Sequence, residues 1–102
     1  MPFCYVFAIG WLRDSLLNLD NVRFDVSSAK DSGQVDQRAA DRIIQQIDVA
    51  KRTEQQAIDA LTRLNDGNGE PKDRQAAERD IGIALEDKAR VFQSLRKANL
   101  SP

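Results

Sequence analysis

At 102 residues, with 41% hydrophobic and 30% charged side chains, the chain holds enough material for one small domain and too little for two that each bury a core. Its 15 basic and 16 acidic residues leave a net charge of -1, balanced segment by segment, which argues against nucleic acid as a partner and against electrostatic attraction to an anionic membrane. Histidine is absent, so the usual general base near neutral pH, the commonest metal ligand and every imidazole-based triad are missing.

The first predicted element begins in FCYVFAIGWL, residues 3–12, an uncharged run in an otherwise charged chain. A membrane-spanning helix needs about 20 apolar residues, and this run meets Arg13 too early. A secretion signal would need a basic start and a longer apolar stretch than the one ahead of Ala8-Ile9-Gly10. Large and small residues alternate from Phe3 to Leu12, and again at Val22, Phe24 and Val26, which is a strand-like pattern. Trp11, Leu12, Ser15, Leu16 and Leu19 fit a helix equally well, and two isolated strands are marginal, so a helix is expected over residues 3–19. An irregular link through DVSSAKDSG, residues 25–33, should follow. Cys4, the single cysteine, cannot close an internal disulfide, which favours a reducing, cytoplasmic compartment.

A long helix is expected over residues 34–65, with Asp31, Ser32 and Gly33 offering capping chemistry before it. Its apolar positions, Ala40, Ile43, Ile47, Ala50, Ala57, Leu61 and Leu64, follow the 3.5-residue period of a helix–helix seam, broken at Glu54. Asp48 with Arg52 and Asp59 with Arg63 are acid-before-base pairs four apart. NDGNGEP, residues 65–71, then ends the helix: Gly67 suits a left-handed terminator and Pro71 the first position of the next helix, with Asp73 near its positive end. DGNGE lacks the spacing of a calcium loop and is read as a turn.

The last helix, residues 71–98, carries a seam of Ala77, Ile81, Ala84, Val91, Leu95 and Ala98, broken at Lys88. If the two helices fold back on each other about the turn, Glu54 and Lys88 fall at one level. Such a pair acts as a register device, because a slipped alignment would strand either charge. The plainer reading is that both long side chains reach out of the seam to water.

The expected architecture is therefore all-α: a long antiparallel helical hairpin over residues 34–102, coiled-coil-like, with an apolar N-terminal helix packed on it from the segment 1–33. This makes a three-helix bundle, or a four-helix-type bundle by dimerisation. No Walker loop, dinucleotide fingerprint, zinc spacing, EF-hand or nucleophile elbow is present. No catalytic residue, metal ligand or cofactor is assigned. The expected function is a non-enzymatic protein-interaction module, binding a protein or a second copy of itself through Phe3, Tyr5, Phe7, Trp11 and Leu16. The alternative is a peripheral membrane protein anchored by residues 3–19. A helical RNA-binding regulator is the third reading; its basic residues are interspersed with Asp36, Asp41, Asp48 and Glu86, the pattern of a solvated face.

Overall fold

In a computed structural model, described over residues 5–100, the chain forms three helices: α1 Tyr5–Asp31, α2 Gln37–Asn65 and α3 Pro71–Lys97. No strand occurs among the described residues. The helices pack as an elongated bundle of 49 × 20 × 17 Å. α2 is the middle element and packs along both neighbours, whereas no Cα of α1 lies within 8 Å of one in α3.

α1 is longer than the sequence pattern predicts. The expected link at residues 25–33 is helical as far as Asp31. Leu12, Leu19, Val22, Val26 and Ala29 form one continuous buried stripe, and burying it outweighs the modest helix propensity of Ser27 and Ser28. The strand-like alternation at Val22, Phe24 and Val26 has the same origin. In a helix Val22 and Val26 share the buried face, and Phe24 points the other way.

The cap also moves. Asp31, Ser32 and Gly33 end α1 rather than start α2: Gly33 takes φ 78°, and the amides of Gly33 and Gln34 donate to the carbonyls of Lys30 and Ala29. The N-cap of α2 is Asp36, whose carboxylate accepts from the amides of Arg38 and Ala39. α2 ends in the same way as α1. Gly67 has φ 78°, Asn68 N–H donates to Arg63, and Pro71 opens α3. There the Glu70 amide donates to Asp73 at 2.9 Å, and the Asp73 amide returns to the Glu70 carbonyl at 2.8 Å.

The intrahelical pairs expected in α2 give way to cross-helix ones. Asp48 pairs with Arg23 of α1 at 3.0 Å, and Arg63 pairs with Asp73 of α3 at 3.1 Å. An intrahelical pair contributes only about 0.2–0.5 kcal/mol, so a partner on a neighbouring helix displaces it easily. Along the α1–α2 seam, Asp20–Lys51, Arg23–Asp48 and Lys30–Asp41 have residue numbers that all sum to 71. The two helices therefore hold one register over three turns.

The core has two halves. One combines Leu19, Val22 and Val26 with Ile43, Ile47, Val91 and Leu95; the other combines Ile9 and Leu12 with Ala57, Ile58, Leu61 and Ala77. Replacing Leu19, which is fully buried, by alanine is expected to cost about 3 kcal/mol in urea unfolding followed by circular dichroism. Gly67→Ala, forced into the left-handed region, should cost about 1–2 kcal/mol; an unchanged midpoint would mean the turn adopts another backbone.

Candidate functional site

Two places in the bundle break the rule that apolar side chains face inward and polar ones outward. The first lies between the two halves of the core. Glu54 of α2 is 2% exposed, a burial that a carboxylate tolerates only with partners. Ser15 of α1 donates its hydroxyl proton to Glu54 Oε1 at 2.6 Å, and Lys88 Nζ of α3 donates to Ser15 Oγ at 2.8 Å. All three helices contribute one residue each. The Glu54 and Lys88 charges do not touch directly; Ser15 stands between them and relays one to the other. Lys88 also lies 5.9 Å from the ring centre of Phe92, one turn further along its own helix.

Glu54 Oε2 has no hydrogen-bond partner. Burial pushes the Glu54 carboxyl above the usual carboxylate range, opposed by the Ser15 hydrogen bond and the Lys88 charge. Chemically, a serine beside a lysine and a glutamate invites comparison with an activated nucleophile. The geometry speaks against it. Ser15 is buried, and its hydroxyl is engaged on both sides, donating to Glu54 and accepting from the Lys88 ammonium, which draws electron density from the oxygen a nucleophile would use.

The second exception is the outer side of α1. Val6, Phe7, Leu17 and Phe24 are 64%, 75%, 62% and 72% exposed on a helix that buries Leu12, Leu19 and Val26 on its other side. At 3.6 residues per turn, Val6, Gly10, Leu17 and Phe24 fall within about 40° of arc, nearly opposite the buried stripe. Phe7 lies about a quarter turn away and Trp11 about a third of a turn, on the side facing α3. The Ser15–Lys88 bond sets α3 73 residues ahead of α1 at equal height. Leu85 therefore shares its level with Leu12 and Trp11, and Trp11 and Leu85 are each about half exposed.

Of the residues singled out by sequence, Phe7 and Trp11 are exposed, whereas Tyr5 and Leu16 are half-buried and pack on the second core half. Phe3 lies outside the described residues, as does Cys4. Sequence reasoning missed Ser15, Val6, Leu17 and Phe24. Ser15 had a signal: it sits three residues after Leu12 and four before Leu19, a polar residue inside an apolar stripe. Phe24 had one only once residues 20–31 are known to be helical.

Other surface features are mixed in sign. A shallow depression on the outside of α2 and α3 is lined by Arg42, Arg52 and Arg90 but also by Asp48 and Asp87, which pair with Arg23 and Arg90. No group of three or more potential ligand side chains is placed to hold a metal among the described residues. No described helix is long and apolar enough to cross a membrane.

Two outcomes test the buried layer. Ser15→Ala leaves Glu54 Oε1 and the Lys88 ammonium without their shared partner and is expected to destabilise the fold by about 1–3 kcal/mol. Glu54 binds its proton more tightly in the folded than in the unfolded chain, so its contribution to stability is complete below its ordinary value of 4.5 and is lost as pH rises through the raised folded value. Measured from pH 4 to pH 8, the urea midpoint of Glu54→Gln should therefore gain on that of the parent chain. A constant difference would show that Glu54 is not strained by burial. Asp73 acts with the opposite sign, being held low by the Glu70 amide and then Arg63, and it is common to both proteins. Compared with protein-family models, with curated proteins and with solved structures, the chain matches none.

Proposed function

We propose that this protein is a non-enzymatic protein-interaction module, in which a coiled-coil-like α2–α3 hairpin serves as scaffold and the outward side of α1 as the binding surface. The observation that carries this reading is the exposure of Val6, Phe7, Leu17 and Phe24 on a helix whose opposite side already serves the core. Each large apolar side chain removed from water contributes about 1.5–3 kcal/mol. Two-sided apolar character is otherwise a cost in solubility.

In this reading Ser15, Glu54 and Lys88 fix the alignment of the three helices, because sliding any one of them by a turn would strand a charge in the core. The scaffold then presents α1 at a set height and rotation. The absence of histidine and the closed surroundings of Ser15 support a binding role over catalysis.

A photo-crosslinking residue placed at Leu17 or Phe24, with Ala89 of α3 as the control position, tests the surface. Discrete protein adducts are expected from the α1 positions and none from Ala89. Flotation with vesicles should leave the protein unbound. Equal labelling at all three positions, or recovery of the chain with lipid, would exclude the reading.

A further inference from the structure

Resting on that reading, we propose that the occupant of the α1 surface is a second copy of the same chain, docked antiparallel so that α1 packs on α1 about a two-fold axis near Ser15. Three observations point to self-pairing. The first is the spacing of the exposed stripe. Val6 and Phe24 lie equally far from residue 15, so a two-fold there sets Val6 of one copy against Phe24 of the other at both ends. Between them Arg13 faces Leu17, and Gly10 faces Asp20 and Asn21.

The second is charge. Arg13 enters no ion pair among the described residues. It lies on the same flank of α1 as Asp20, and in an antiparallel pair like flanks meet. The two-fold brings Arg13 of each copy within about one helical turn of Asp20 on the other, which already holds Lys51 of its own chain and accepts a second cation there, while the aliphatic stem of Arg13 covers Leu17. On the other flank Asp14 and Asp25 are acidic, which disfavours an anionic lipid surface as occupant; the two-fold also brings the two exposed Asp14 side chains near one another, a repulsion that solvent screens.

The third is space and area. A Cβ built on Gly10 meets nothing within 4 Å, so nothing inside this chain requires glycine there. Glycine in a helix interior costs about 0.5–1 kcal/mol relative to alanine, and close approach of a second helix is what it permits. Val6, Leu17 and Phe24 expose about 100–150 Å² apiece, about 350 Å² per copy, and the exposed Arg13, Asp20 and Asn21 beside them supply the rest of the ~1,000 Å² that a specific interface between two copies needs.

The experiment uses the full chain carrying Cys4→Ser, with Val6→Cys in one preparation and Phe24→Cys in another, together with light scattering on the parent chain and on Leu17→Glu. The expected results are a parent mass of two chains and a Leu17→Glu chain of one chain with unchanged helical circular dichroism, its dissociation constant raised about a hundredfold or more. Disulfide dimers should form when the two cysteine variants are mixed and not in either alone, because like positions lie about 27 Å apart in the antiparallel pair. A dimer crosslinked through like positions would overturn the antiparallel arrangement while leaving α1 as the binding surface. A parent chain that stays monomeric yet gives discrete adducts to other proteins from Leu17 would overturn self-pairing alone. A monomer without such adducts would remove both proposals.

Discussion

A carboxylate taken out of water is the constraint around which this bundle is arranged. Glu54 is enclosed at the height where the two apolar halves of the core meet, and what it needs can come only from the neighbouring helices. A serine hydroxyl on α1 supplies the hydrogen bond, and a lysine on α3 supplies the compensating charge through that same hydroxyl. The layer binds all three helices with only two hydrogen bonds. It does so without an easy gain in stability, since one carboxylate oxygen is left unsatisfied and an apolar replacement of similar volume is often at least as stable. In the proposed reading a buried charge supplies discrimination: apolar seams made of alanine, isoleucine and leucine tolerate sliding by a turn, and a carboxylate with one acceptable neighbour does not.

The ion pairs along the α1–α2 seam act differently. Asp20–Lys51, Arg23–Asp48 and Lys30–Asp41 are substantially exposed, and each contributes at most about 1 kcal/mol. Their common offset nevertheless agrees closely with that of the buried Ser15–Glu54 contact. Agreement between a buried polar layer and a row of surface pairs is the kind of consistency across levels that separates one alignment from its neighbours.

α1 is where stability and the proposed binding role meet. Its inner stripe completes both halves of the core, and its outer stripe adds nothing to the core of a single chain. Among the described residues the outward stripe stays exposed, and Trp11 and Leu85 are each about half exposed. The same helix thus serves the fold and the proposed contact with a second copy, and the polar layer at Ser15 joins the two roles by setting how α1 is presented.

Much of this was legible in the sequence. The α2 and α3 helices and the turn between them follow from spacing alone, because helical periodicity and glycine and proline placement are local properties. The length of α1 was not legible, since a serine-rich segment of modest propensity becomes helical only when Val22, Val26 and Ala29 have a surface to bury against. Nor was the choice of ion-pair partners, which is made between helices and not along them. The sequence by itself determined that the chain is helical, where α2 and α3 meet and which positions break their seams. Only the tertiary structure decided that Ser15 joins Glu54 to Lys88 and that Val6, Leu17 and Phe24 face outward. The reason is that a residue's face is set by its helix, whereas burial is set by whatever packs against that face.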